Sequence, residues 1–254
     1  MNTYDIFTYC GGKCGSSTLQ NTFINNGFTS THVHGQSNYK DRLIIENKDL
    51  DHTIFDVIDS SCKLDKEIFF FDSYRTPIER KISSFFQNLY EYLPNYKELS
   101  VEEIIHFFNK RLIYELEEYH SINEVLQHYD IPLFDTFDFE KRYNIVKKDN
   151  KIIVKILFKD IENWSSILSE ILGKDILIHS ANISENKDYA NLYKEFKEKY
   201  RVPLPYLENL QNDREFKIYN TYEEQQEYIN HWLGLSFVVE PVSQPVLEQL
   251  SEML

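Results

Sequence analysis

The sequence predicts an α/β fold with a central, mainly parallel β-sheet and additional helices in the middle and C-terminal parts of the chain. Apolar runs of strand length alternate with helical patterns early on, at residues 4–9, 31–34 and 67–74. The last of these runs, "EIFFFDSY", is apolar enough for a strand covered on both faces. Helical signals dominate later in the chain. Early alternation of strands and helices is typical of a parallel sheet.

The first strand and helix are separated by a glycine-rich turn. Residues 4–9 form the predicted strand, and residues 16–26 form a helix that places Leu19 and Phe23 on one side. Gly27 stands where a helix often ends in a left-handed residue. A short second strand follows at residues 31–34. The chain therefore begins with a strand, a turn and a helix, and a second strand follows them.

A second strand-and-helix unit is predicted between residues 54 and 89. A helix carrying Ile54, Val57 and Ile58 on one face precedes the strand at residues 67–74. Pro77 suits the first turn of the next helix. The apolar stripe of that helix consists of Ile78, Ile82, Phe85, Phe86 and Leu89.

The rest of the chain is predicted to be mostly helical, with one strand pair. Capping-box spacings begin helices at Ser100, Ser121 and Thr221. Residues 143–146 and 152–158 flank the turn-like "KKDNK" and form paired strands. Helices follow at residues 162–172 and 189–200. No segment resembles a linker, so we predict a single domain over residues 1–254, with a core over about 1–180 and a helical extension over about 181–254.

Composition limits the classes of partner. The 254 residues carry a net charge of −14, which disfavours general attraction to nucleic acid or anionic lipid. Three sparse cysteines favour a reducing compartment. The amino terminus lacks a signal-peptide pattern, and the apolar runs are too short to cross a bilayer. We therefore expect a cytoplasmic protein without a transmembrane segment.

The turn "CGGKCGSSTL" at residues 10–19 has the composition of an anion site. Glycines let backbone N–H groups converge, and the following helix adds the positive end of its dipole. Lys13 supplies a positive charge. Hydroxyl donors in the first helical turn are supplied by Ser16, Ser17 and Thr18. A phosphate or a similar tetrahedral anion is the expected ligand.

A nucleotide-dependent kinase is one interpretation of this turn. The nucleoside triphosphatase loop requires a lysine after its last glycine, followed by Ser or Thr. Here Lys13 precedes Gly15, and no such tripeptide occurs in the chain. Asp72, at the end of "FFFD", imitates the second metal-binding element of those enzymes, so a kinase stays as an alternative. A second alternative is a non-catalytic protein that binds glycans or a partner through its many aromatic residues.

Two motifs together resemble the sulfotransferases that use 3′-phosphoadenosine 5′-phosphosulfate. "KCGSST" at residues 13–18 is similar to their 5′-phosphosulfate loop, and "SYRTPIERKISSFF" at residues 73–86 is similar to their 3′-phosphate element. A third segment, residues 155–173, resembles a later strand and helix of the family. Together these segments cover about residues 4–178. The resemblance implies a P-loop-like three-layer fold.

The resemblance also implies roles for individual residues. The 5′-phosphosulfate would be held by Lys13, Cys14, Gly15, Ser16, Ser17 and Thr18. The 3′-phosphate would be held by Arg75 and Ser83. No metal would be required, and the product would be 3′,5′-adenosine bisphosphate. Lys13 would also act in catalysis by stabilising the leaving phosphate.

Within this family, the chain most resembles bacterial enzymes of capsular polysaccharide synthesis. The likeness lies in "THVHG" at residues 31–35, in residues 75–86 and in residues 189–200. An acceptor hydroxyl on a carbohydrate, in a polysaccharide or a glycolipid, is therefore implied. The chain lacks the C-terminal Arg-Lys-Gly loop of cytosolic small-molecule sulfotransferases, which argues against a steroid or phenol acceptor.

The acceptor hydroxyl requires a general base, and histidine suits neutral pH. His32 and His34 follow the second strand, between the two donor motifs, and residues two apart on a strand share a face. The carboxylate alternatives are Asp72, Glu79 and Asp160. The pairs Cys10 and Cys14, and His32 and His34, do not have the CxxC spacing typical of zinc sites, so we predict no metal.

Overall fold

The computed structural model describes residues 2–45, 52–114, 121–180 and 188–237, and these form seven β-strands and twelve α-helices. The strands β1–β7 are Ile6–Tyr9, Ser30–Val33, Ile68–Tyr74, Tyr143–Lys148, Lys151–Leu157, Val202–Pro203 and Ser236–Phe237. The helices α1–α12 are Ser16–Asn25, Gly35–Ile45, Ile54–Cys62, Pro77–Gln87, Leu89–Tyr92, Val101–Tyr114, Ser121–His128, Trp164–Leu172, Ala190–Lys199, Leu204–Leu210, Arg214–Ile218 and Tyr222–Leu233.

In the described part of the chain, five strands form the central sheet, in the order β2-β1-β3-β5-β4. The first four are parallel neighbours, and β4 pairs antiparallel with β5. This arrangement confirms the predicted α/β class with a mainly parallel sheet. The predicted strand pair around "KKDNK" is also confirmed, and Asp149 makes the turn with a left-handed φ of 54°.

Helices pack on both faces of this sheet because side chains alternate along each strand. On β1, Ile6 belongs to one apolar cluster and Phe7 to the other. The cluster around Ile6 includes Leu19 and Phe23 of α1 and Trp164, Ile167 and Leu168 of α8. The cluster around Phe7 includes Ile54, Val57 and Ile58 of α3 and Ile122, Val125 and Leu126 of α7. The sheet therefore lies between two helical layers.

The helices differ from the predicted ones in a few places. The helix beginning at Pro77 ends at Gln87, and Leu89 starts the separate short helix α5. Helix α2 was not predicted, because its apolar residues do not form a regular stripe. The capping boxes at Ser100 and Thr221 are present. Helix α7 begins at Ser121, and the capping box predicted there involves a side chain outside the described residues. The C-terminal segment 241–254 also lies outside the described residues.

The described residues form two compact units. One comprises those within Met1–Pro94 and Glu117–Ala190 and contains the central sheet. The other comprises those within Asn95–Leu116 and Asn191–Leu254, and it contains α6, α10–α12 and a two-stranded parallel sheet of β6 and β7. Our single-domain interpretation stays a prediction. Across the described ranges, no helix has both the length and the apolar character needed to cross a membrane.

A buried ion pair joins the two strands at the centre of the sheet. The register of β3 and β5 places Asp72 opposite Lys155. The Lys155 Nζ lies 2.6 Å from Oδ2 of Asp72, and their side chains are only 4% and 6% exposed. Because both charges are desolvated, each depends on the other for compensation. The pair therefore ties the middle of the sheet together close to the end of β1.

Removing one member of this pair should destabilise the protein. The Lys155→Met variant leaves the Asp72 carboxylate buried without its cation, and we expect a loss of about 3–5 kcal/mol in the free energy of unfolding. The double variant Lys155→Met/Asp72→Leu removes both charges and should recover most of that loss. Denaturant unfolding of both variants measures these effects. A loss below about 1 kcal/mol in the single variant would contradict the assignment.

Candidate functional site

The turn between β1 and α1 has an unusual backbone conformation. Lys13 has a φ of 68° and Gly15 a φ of 87°, both in the left-handed region. The Cys14 N–H donates to the Gly11 carbonyl over 3.4 Å and closes the turn. A left-handed conformation costs about 1–2 kcal/mol at a residue other than glycine. Strain of this kind concentrates at binding sites, and such turns bring N–H groups together around an anion.

The first turn of α1 provides the donors expected of an anion site. Gly15 is the N-cap residue; among the described residues no side chain caps the helix, and its first turn has no acidic residue. Ser16 and Thr18 are buried, and Ser17 is half-buried. The first N–H groups of a helix have no partner within the helix, and the helix dipole makes this end positive. An anion at this end would meet donors and no competing carboxylate from the first turn.

Glycine is required at position 15 by space as well as by backbone angle. A Cβ on Gly15 would lie 2.6 Å from Cη2 of Trp164 and 3.1 Å from Cδ2 of Phe158. The Trp164 indole is fixed, because its Nε1 donates to the Leu157 carbonyl over 3.0 Å. The two rings therefore form a wall against which the turn is packed.

Arg75 connects the two predicted donor motifs. Its Nη1 donates to the Lys13 carbonyl over 2.9 Å, and its guanidinium carbon lies 4.6 Å from the centroid of the Phe158 ring. The structure thus brings Lys13 and Arg75 together, although 62 positions separate them in the chain. Sequence reasoning missed the role of Phe158. Its position at the end of the predicted strand 152–158, inside the third family-like segment 155–173, was the available signal.

The other cationic and hydroxyl residues of the second motif lie on α4. Ser83 is half-buried there, and within the described part of the chain no hydrogen bond joins it to Arg75. Arg80, a second arginine of this motif, is close enough to the turn for its charge to act on Cys14. The site therefore has local positive charge from three side chains, Lys13, Arg75 and Arg80, in a protein whose net charge is −14.

The cysteine of the turn is buried. Burial raises the pKa of the Cys14 thiol to about 11, and the nearby Arg80 guanidinium opposes that rise. Burial also raises the pKa of Cys10 well above its usual value, with a further contribution from the Asp72 carboxylate. Both thiols stay protonated near neutral pH. The Cys14 N–H donates within the turn and so helps to close it, and the contact of Cys14 with a ligand stays a prediction.

The two histidines lie side by side at the end of β2, with ring centroids 5.4 Å apart. The Nδ1 of His34 lies 2.6 Å from the Cys10 carbonyl oxygen. A carbonyl oxygen can only accept, so Nδ1 carries the proton and Nε2 of the neutral ring has the lone pair. The Nδ1 of His32 contacts Oε1 of Gln20. His34 is therefore held to the backbone at the start of the turn, while His32 is held by a side chain.

Two of the three carboxylates considered as alternative bases, Asp72 and Asp160, are buried in ion pairs. Asp72 is paired with Lys155. Asp160 is buried, and its Oδ1 lies 2.7 Å from Nη2 of Arg142. Glu79 is half-buried in the first turn of α4. Among the residues that the structure describes, no group of three or more His, Cys, Asp or Glu side chains is arranged to hold a metal ion.

Comparisons with protein-family models, with curated proteins and with solved structures gave no match to this chain.

Replacing Gly15 should disrupt the turn, and Gly12 provides a matched control. Gly15→Ala introduces a Cβ into the wall formed by Trp164 and Phe158 and forces a left-handed alanine. The backbone alone should cost about 1–2 kcal/mol of unfolding free energy. A Cβ on Gly12 would meet no atom of the described residues within 4 Å, so Gly12→Ala should change stability by less than about 0.5 kcal/mol. Thermal unfolding measures both, and equal melting temperatures would refute the packing argument.

Proposed function

We propose that this protein is a sulfotransferase that passes a sulfonate group from 3′-phosphoadenosine 5′-phosphosulfate to an acceptor hydroxyl. The observation that carries the proposal is the contact between Arg75 and the Lys13 carbonyl. It joins the turn at the start of α1, a helix that no described side chain caps, to the arginine that directly follows β3, the strand beside β1. A nucleotide with phosphate groups at both its 5′ and 3′ positions needs two such cationic sites.

The residues at the turn fit the 5′ end of this donor. The nucleotide supplies the sulfonate group when it is bound. Lys13 stabilises the negative charge that develops on the leaving phosphate, which is the largest requirement of such a transfer. The turn at Gly15 and the hydroxyl and N–H groups of Ser16, Ser17 and Thr18 hold the phosphosulfate. Arg75 and Ser83 bind the 3′-phosphate, with the planar guanidinium matching two phosphate oxygens.

His34 is the general base in this proposal. Its Nδ1–H donates to the Cys10 carbonyl, so its Nε2 lone pair can accept the proton of the acceptor hydroxyl. The acceptor oxygen forms a bond to sulfur as the bond from sulfur to the phosphate oxygen breaks. We favour His34 over His32 because a backbone carbonyl holds a ring more firmly than the flexible Gln20 side chain does.

The buried ion pair of Asp72 argues against the alternative of a kinase. In that alternative, Asp72 would act at a magnesium ion beside the turn. Its carboxylate is instead 2.6 Å from the Lys155 ammonium and nearly inaccessible to solvent. An internal cation thus already neutralises this carboxylate. The arrangement favours transfer of a sulfonate, which carries less charge than a terminal phosphate and which lysine and N–H groups can stabilise.

The finer parts of the proposal rest on the sequence resemblance. They are a P-loop-like three-layer fold, a carbohydrate acceptor and a bacterial polysaccharide or glycolipid pathway. A cytoplasmic location is supported by the three cysteines, Cys10, Cys14 and Cys62, which are all reduced thiols.

Nucleotide binding tests the donor site without knowledge of the acceptor. We expect 3′,5′-adenosine bisphosphate to raise the melting temperature more than ATP with magnesium does, because only the bisphosphate has a 3′-phosphate for Arg75 and Ser83. A ligand at a hundred times its Kd adds about 2.7 kcal/mol to the free energy of unfolding. Lys13→Ala should weaken binding of both the bisphosphate and 5′-AMP. Arg75→Ala should also remove the preference for the bisphosphate over 5′-AMP. Lys147→Ala, which removes an exposed cation paired with Glu67, is the control. Stronger stabilisation by ATP with magnesium would favour a kinase.

Turnover tests the assigned base. With the sulfonate donor and a panel of mono- and oligosaccharides, His34→Ala should lower kcat by about 10²- to 10⁴-fold, the usual contribution of a general base. The affinity for 3′,5′-adenosine bisphosphate should stay unchanged. His179→Ala, at an exposed histidine of the same unit, should retain full activity. An unchanged kcat in His34→Ala would transfer the role to another group, with His32 next to be replaced.

A further inference from the structure

A carboxylate from α7 joins the ends of the neighbouring strands β1 and β2. The Oε2 of Glu124 accepts a hydrogen bond from the Tyr9 hydroxyl over 2.7 Å and from the Gln36 N–H over 2.9 Å. Tyr9 is the last residue of β1, and Gln36 lies in the first turn of α2, just after β2. The sequence pattern assigned Glu124 to a capping box with Ser121. That assignment does not account for a carboxylate that spans the two strand ends.

The chain after β2 is shaped to admit this carboxylate. Gly35 has a φ of 90°, and a Cβ at this position would lie 3.1 Å from Oε1 of Glu124. The glycine therefore allows both the left-handed turn and the close approach of the side chain. Helix α2 has no acidic residue in its own first turn. Glu124 supplies the negative charge that a helix start favours and satisfies one of the N–H groups that have no partner within the helix.

His34 lies between these two attachments. Its ring donates to the Cys10 carbonyl, and Cys10 follows Tyr9, which donates to Glu124. Its own backbone continues into Gly35 and Gln36, which Glu124 holds from the other side. The Glu124 carboxylate therefore holds the backbone on both sides: next to the Cys10 carbonyl, which orients the His34 ring, and next to His34 itself. Misplacement of a catalytic group by about 1 Å can cost about 10²-fold in rate.

We propose that Glu124 is a positioning residue that sets the tautomer and the direction of the His34 ring toward the acceptor hydroxyl. This inference rests on the proposed function for its effect on rate, while its effect on the ring can be observed without turnover. Tyr9 acts through the same contact. The carboxylate does not itself touch the substrate or the donor in this scheme.

The test compares three Glu124-related variants with a matched cap variant. Glu124→Ala removes both contacts and should lower kcat by about 10- to 100-fold, with the Kd for 3′,5′-adenosine bisphosphate unchanged. Glu124→Gln keeps an acceptor oxygen of the same reach and should retain most of the activity. Tyr9→Phe removes one contact and should lie between them. Asp56→Ala removes a capping carboxylate of α3, in the same unit, and should leave kcat unchanged.

Nitrogen NMR of histidine-labelled protein gives a readout that a merely stabilising role would not change. The wild type should show His34 with its proton on Nδ1, whereas Glu124→Ala should show a mixture of tautomers, and Asp56→Ala should match the wild type. A single Nδ1–H tautomer in Glu124→Ala, or a kcat within threefold of the wild type while His34→Ala is impaired, would overturn the inference. An inactive wild type with the expected NMR result would instead overturn the proposed function and leave the positioning role in place.

Discussion

The candidate site depends on the placement of the Arg75 guanidinium. One of its nitrogen atoms holds the carbonyl of a lysine in a strained conformation, and its face lies over the Phe158 ring. The same ring closes the space beside Gly15. An arginine has five N–H donors, so one contact to the backbone still leaves donors for an anion. Arg75, which follows β3, therefore contacts both the turn after β1 and the residue that follows β5.

The charge pattern of the site is local and opposes that of the whole protein. The net charge of −14 repels anions at long range. At the turn, positive charge is supplied by the start of α1 and by Lys13, Arg75 and Arg80. Asp72, the acidic residue nearest this region on β3, is neutralised by Lys155 within the sheet. Screening in salt weakens the distant charges more than those in contact with a ligand. The proposed nucleotide would therefore meet local positive charge in spite of the acidic protein around it.

Most of the fold was predictable because its elements have strong local signals. The runs at β1, β3 and β5 are apolar over several residues, and the helices α3, α4 and α8 show regular apolar stripes. Helix α2 has no such stripe, since its sequence "GQSNYKDRLII" places only Tyr39 and Leu43 at a helical spacing. Strands β6 and β7 have two residues each, which is too short for a pattern to emerge. Their pairing depends on chain segments more than 30 residues apart.

The sequence is enough to predict the α/β class, the strands β1–β5, most of the longer helices, the glycine and hydroxyl composition of the turn, and the cationic and histidine candidates. These features follow from local periodicity, glycine content and residue chemistry. The tertiary structure alone decided that Arg75 supports Lys13, that Phe158 lies beneath that arginine, that Asp72 pairs with Lys155, and that Glu124 spans two strand ends. The reason is that each of these contacts joins residues from different strands or helices, and only the register of the sheet and the packing of helices on it bring such residues within hydrogen-bonding distance.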